Sequence, residues 1–251
     1  MAIIDFQFLS KTLATTTSIS IILPERDDWF QAHGNQTPYP TLYLLHGLSN
    51  NHSTYVRNTN IERYASEKGI AVVMPSFDHS FYSNMAYGHR YFDYFTKELL
   101  PLLPTLFPLA QEREKNFVAG HSMGGYGAFK MALSCPSHFA KAASMSGVMD
   151  IDYILHHPFD NFSVEAVTGG KTTLHGTPSD LYHLIRENKK NGVLLPELYQ
   201  TCGTEDFLYE DNLAFRDFLK KENIHAKYVE APGEHNFKFW DKSIENVLEW
   251  L

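Results

Sequence analysis

Short apolar runs rich in branched residues recur along this chain, bounded by turn residues and separated by longer segments of helical spacing. No other feature constrains the fold as strongly. Strands buried on both faces read as continuous apolar runs, so the alternation predicts an α/β fold with a mostly parallel central sheet flanked by helices. The runs predict strands at 18–23, 41–46, 70–74, 116–119, 140–145, 198–202 and 226–230, and residues 3–9 alternate like an antiparallel edge strand. Helices are expected at 61–68, 123–134 and 207–221, the last with Leu208, Phe215, Phe218 and Leu219 on one face. Trp240, Ile244, Val247, Leu248 and Leu251 mark a C-terminal helix with one apolar stripe. Residues 91–107 also read as helical, but Pro101 and Pro104 should break them, because proline lacks the N–H the ladder needs.

Residues 150–192 differ from the rest, with a Gly169-Gly170 pair and no strand signal. They read as a small cap-like insertion over the sheet. No repeat or linker divides the chain, so residues 1–251 are expected to form one domain.

Charge narrows the partners. Lys and Arg number 21 against 29 Asp and Glu, a net charge of −8, the wrong sign for a nucleic-acid binder. The first ten residues carry Asp5 where a signal peptide would be basic and then apolar, and no apolar run approaches the roughly 18 residues of a membrane span. A cytoplasmic protein without membrane partners is expected. Cys135 and Cys202, with no C-x-x-C spacing, read as small apolar residues of a reducing compartment.

Gly120, Ser122 and Gly124 form G-x-S-x-G between the predicted strand 116–119 and the predicted helix 123–134. That context matters, because in a nucleophile elbow a strained strand-to-helix turn lifts Ser above the sheet while the glycines let the elements pack close. A serine hydroxyl is a weak nucleophile and needs a His base and a carboxylate orienter, downstream in the order acid then His. The loop after strand 198–202 supplies Asp206, with Glu205 as an alternative; Asp206 could also serve only as a helix N-cap. His235, after a Pro-Gly turn and before the final helix, is the expected base. Backbone N–H groups of Met123, directly after the nucleophile, and Leu48, after the His46-Gly47 turn, are the expected oxyanion donors. The aromatic stretch 77–94, with Phe81, Tyr82 and Tyr87, and the segment 150–192 are expected to set substrate size, excluding acyl chains beyond about four to six carbons. There is no H-E-x-x-H, phosphate loop or G-x-G-x-x-G, so no metal or cofactor is expected.

Leu44-Leu45-His46-Gly47-Leu48, the run 57–63, Val73-Met74-Pro75, Gly120 to Gly127 and Cys202-Gly203 through Tyr209 together resemble the tributyrin-esterase group of the esterase D-like α/β-hydrolases. The resemblance spans most of the chain. It implies a serine carboxylesterase acting on short acyl esters, with Ser122, Asp206 and His235 as triad, Leu48 and Met123 as oxyanion donors, and a homo-oligomer. S-formylglutathione hydrolases share Gly120-His121-Ser122-Met123-Gly124-Gly125 but usually carry Cys shortly after the Gly-Leu, where this chain has Ser49-Asn50-Asn51. Cinnamoyl and acetyl-xylan esterases share the fold, as would an acyltransferase or an inactive binding module. Fold alone does not settle substrate.

Overall fold

The computed structural model describes residues 1–26, 37–157, 159–160 and 162–251, so two positions of the predicted insertion, 158 and 161, lie outside the described residues. The strands are β1 (Ala2–Ser10), β2 (Thr15–Leu23), β3 (Thr41–Leu45), β4 (Ala71–Pro75), β5 (Asn116–His121), β6 (Lys141–Met145), β7 (Glu197–Gly203) and β8 (Ala226–Ala231). They form one eight-stranded sheet in the order β1-β2-β4-β3-β5-β6-β7-β8. Only β2 runs against the others, pairing antiparallel with β1 and β4, and every other pairing is parallel. Each predicted strand is present, its ends displaced by a few residues at most.

Burial explains the two strand types. Every residue of β3, β4 and β5 is buried, as a central strand covered on both faces requires. Side chains still alternate between faces: Leu42 and Leu44 pack into one apolar cluster, Tyr43 and Leu45 into the other. β1 instead alternates half-buried and exposed positions, the pattern of an edge strand with one wet face.

The helices are α1 (Thr54–Asn58), α2 (Ile61–Lys68), α3 (Tyr91–Asp93), α4 (Leu100–Leu106), α5 (Met123–Ser134), α6 (Tyr153–His156), α7 (Val164–Thr168), α8 (Leu181–Lys190), α9 (Tyr209–Lys221) and α10 (Phe237–Trp250). Ile61, Tyr64 and Ala65 of α2 join Trp240, Ile244, Val247 and Leu248 of α10 on one face of the sheet. Tyr126 and Phe129 of α5, Leu181 and Ile185 of α8 and Phe215 and Phe218 of α9 cover the other. At roughly 1.5–3 kcal/mol for each large apolar side chain buried, the stripe of α10 is ample to hold the C-terminus on the sheet.

Two expectations are refined. The break expected at the prolines of 91–107 does not occur: α3, a π-helical turn Tyr94–Leu99 and α4 follow one another without interruption, with Pro101 in the first turn of α4 and Pro104 inside it. The π turn widens the helix directly before Pro101, with the Leu100 N–H bonding the Phe95 carbonyl. The helix expected from 207 starts at Tyr209, because Leu208 is its N-cap. The segment between β6 and β7 carries α6, α7 and α8 and, among the described residues, no strand.

Candidate active site

Close packing shapes the turn at Ser122. A Cβ on Gly120 would overlap the Gly124 and Leu45 carbonyls, and one on Gly124 would overlap the Leu45 carbonyl, so only glycine lets α5 approach β5 and β3 this closely. Ser122 itself sits at φ 55°, ψ −123°, a backbone region that L residues rarely occupy. Its N–H donates to the Met145 carbonyl on β6 at 2.9 Å, which fixes the strained turn to the sheet.

Three side chains from separate loops meet there. Ser122 Oγ lies 2.9 Å from His235 Nε2, and His235 Nδ1 lies 2.9 Å from both carboxylate oxygens of Asp206. The carboxylate can only accept, so Nδ1 carries the proton and Nε2 is left to accept from the serine O–H. The Asp206 side chain is fully buried, and its Oδ1 also accepts from the Leu208 N–H at 2.9 Å. Asp206 thus holds the start of α9 and faces the imidazole at once. Glu205, the alternative acid, turns away: its carboxylate accepts from the Gly233 N–H and from Thr204 Oγ1. It clasps the loop bearing Asp206 to the loop bearing His235.

The wall formed by the loop after β3 is set by two buried histidines. His46 Nδ1–H donates to the Gly47 carbonyl at 2.8 Å, while Nε2 accepts from the Phe77 N–H at 2.9 Å. Only a neutral ring can do both, and burial pushes its pKa down to about 4. His121 Nε2 accepts from the Gly47 N–H at 3.2 Å, with the Asn50 side-chain amide 3.0 Å away. Its Nδ1–H therefore points at the Tyr55 oxygen, 2.8 Å away. Burial, with His46 and His235 nearby, holds the His121 pKa well below the ordinary histidine range.

The cleft over Ser122 encloses about 380 Å³ and is lined on one side by Gly47, Leu48 and Asn50, on the other by Phe159, Phe207, Phe237 and Trp240. Leu48 and Met123 both border it, and among the described residues neither N–H has an acceptor within the protein. Phe81, expected as a pocket residue, lines it as well. Tyr82 and Tyr87 do not. Tyr82 is fully buried behind the wall, its ring against Gly127 and its O–H donating to the His46 carbonyl at 2.6 Å. Tyr87 is 66% exposed, because residues 86 and 87 pair main chain to main chain with Val167 and Ala166 and leave the ring in solvent. Phe207 and Phe237 could have been anticipated as neighbours of Asp206 and His235. Phe159 and Asp160 carry no such signal, since only the course of the segment after β6 brings them over the cleft.

Asp150, Asp152 and His175 are the one group of possible metal ligands among the described residues. They lie outside the cleft lining, and His175 already bonds Asp150 at 2.8 Å, which raises its pKa. No helix among the described residues is long and apolar enough to cross a membrane.

Residues 10–251 match the family model "Putative esterase". This chain belongs to that esterase family. An acetyl esterase of Caldicellulosiruptor saccharolyticus is 34% identical over 100% of this chain and 98% of its own length. Among solved structures, the substrate-bound fluorophosphonate-binding serine hydrolase FphF of Staphylococcus aureus superposes with a TM-score of 0.97 at 41% identity, covering 99% of this chain and 97% of that one. The S-formylglutathione hydrolase FrmB of Staphylococcus aureus, without ligand, gives 0.92 at 41% identity, covering 99% and 98%. The esterase described here has an α/β-hydrolase fold and is a serine carboxylesterase.

Proposed function

We propose that this esterase hydrolyses short-chain acyl esters, acetyl to butyryl, through an acyl-enzyme on Ser122. The hydrogen-bonded chain from Ser122 Oγ through His235 to the buried Asp206 carries the reading. His235 Nε2 takes the serine proton as Oγ attacks the acyl carbon and returns it to the leaving alcohol; water then releases the acid by the same route. Asp206 keeps the imidazole in the tautomer that accepts at Nε2. The N–H groups of Leu48 and Met123 receive the negative charge on the acyl oxygen, a contribution that typically amounts to about 10²–10³ in rate per donor. The cleft volume, near the low end of small-molecule sites, supports a short acyl group. Residues 150–192 act as a cap on a single hydrolase domain, since Phe159 and Asp160 border the cleft.

Ser122→Ala should lower turnover of nitrophenyl acetate by about four orders of magnitude or more while leaving the fold intact, and should abolish labelling by a fluorophosphonate. Retained labelling in that variant would remove Ser122 from the chemistry. A thioester reading has one observation in its favour, the 41% identity with the staphylococcal FrmB. The run Ser49-Asn50-Asn51 points the other way, and S-formylglutathione assayed beside nitrophenyl butyrate separates the two. A homo-oligomer in the reducing cytoplasm fits the resemblance and the two free thiols; light scattering on the purified protein tests the assembly.

A further inference from the structure

The cleft over Ser122 has a neighbour. A second cavity of about 720 Å³ shares Ser49, Asn50 and Asp160 with it and extends between the loop after β3 and the loop that follows β4. The two differ in chemistry. Apart from the catalytic groups, the first is walled mainly by aromatic and aliphatic side chains, including Phe81, Val148, Phe159 and Phe207. The second is lined mainly by polar residues, Asp78, Asp160, His79, His89, Asn50 and Asn51, with Met85 and Tyr91 beside them. No lysine or arginine lines either one among the described residues, and neither Asp78 nor Asp160 forms an ion pair there with a basic side chain. Asp78 is anchored by the Tyr91 O–H, which donates to its Oδ2. Burial and that bond hold the Tyr91 pKa far above the ordinary phenol range, so the phenol keeps the proton it donates to Asp78.

Acyl transfer needs two arms beside the nucleophile, one for the acyl chain and one for the departing alcohol. An apolar cleft suits the first, and a cavity rich in hydrogen-bonding groups suits the second. We propose that the cavity bounded by Asp78, Asn50 and Asp160 is the leaving-group subsite and that its two carboxylates select alcohols by charge. Neutral hydroxyl-bearing and cationic alcohols are admitted; anionic ones are repelled. The proposal rests on the serine-esterase reading above. It adds the chemical class of the alcohol, and it disfavours glutathione thioesters, whose two carboxylates outnumber their one ammonium group.

The test is a charge series on one acyl group: acetylcholine, its uncharged isostere dimethylbutyl acetate, and the acetate ester of hydroxypropanesulfonate. It is run at about pH 8 and at low ionic strength. With two carboxylates near the alcohol, kcat/KM for the anionic ester should fall about fivefold or more below that of the neutral one, mostly through KM, and the gap should close as salt is added. The double variant Asp78→Asn, Asp160→Asn should collapse the anionic-to-neutral ratio towards one, and S-formylglutathione should gain relative to dimethylbutyl acetate. Equal kcat/KM across the wild-type series, or a ratio unmoved in the double variant, overturns the charge selection. Failure of the neutral ester to turn over at all would overturn the esterase reading instead.

Discussion

The two walls of the cleft are built on opposite physical plans. On the side of the loop after β3, His46 and His121 are each 1% exposed, every ring nitrogen has a partner, and Tyr82 braces the loop from behind. The facing wall is made of aromatic rings, Phe159 and Phe207 on loops and Phe237 and Trp240 in the first turn of α10, and Phe207 is 56% exposed although it packs on His235 with centroids 4.4 Å apart. Donors that meet developing charge must not reorganise during reaction, and the buried, hydrogen-bonded rings of His46 and His121 hold the loop on which, among the described residues, the Leu48 N–H is left without an acceptor within the protein. Selecting a substrate needs shape and apolar area, which exposed rings on loops supply and which can change without disturbing the chemistry.

The contrast can be broken at several points. Asp206→Asn should lower kcat by about 10⁴, because the amide stabilises the wrong imidazole tautomer, whereas Glu205→Gln should stay within a few-fold of wild type. Comparable losses in the two variants, measured with nitrophenyl acetate, would mean that the clasp to Gly233 matters as much as the orienter.

Next in size is an acid effect on stability. The His46 pKa is depressed in the fold from 6.5 to about 4, so the unfolded chain takes up that proton first. Its contribution is present above pH 6.5 and is lost as pH falls through about 4, amounting to about 3 kcal/mol in all. Asp211 opposes it: burial raises its pKa from 3.8 to about 6, so the folded state gains stability as pH falls through that value. Asp211→Asn removes the compensation and should show the steeper acid loss in urea midpoints; parallel curves for the two proteins would contradict this balance.

A smaller effect is expected at the brace. Tyr82→Phe leaves the buried His46 carbonyl without its 2.6 Å partner and should cost about 1–3 kcal/mol in unfolding free energy. kcat should fall with it if the loop relaxes. Smallest of all, Phe159→Ala on the cap wall should raise the ratio of hexanoyl to acetyl turnover by about threefold to tenfold with little change on acetyl esters, since removing a ring lengthens the cleft. A ratio unchanged in that variant would place the acyl chain elsewhere.

The contrast also marks what could be read without coordinates. The elbow was legible because Gly120, Ser122 and Gly124 sit between a strand pattern and a helix pattern, and His235 because a turn and a helix flank it. The choice between Asp206 and Glu205 was not legible, since adjacent carboxylates in one loop have the same local signal. Their side-chain directions depend on where Gly233 lies, 28 residues away. Tyr82 and Tyr87 show the same limit, because composition marks an aromatic stretch but not which ring faces the substrate. Among these rings only Phe81 reaches the cleft, while Tyr82 supports it from behind and Tyr87 points to solvent.

By itself, then, the sequence determined the alternation of strand and helix, the parallel sheet and the elbow, because periodicity, glycine sterics and turn chemistry act over a few neighbouring residues. Only the tertiary structure decided which carboxylate meets His235, which rings line the cleft and which carboxylates face the neighbouring cavity. Those depend on loops from β3, β4, β6, β7 and β8 converging on one end of the sheet, and the separation between them in sequence carries no record of that meeting.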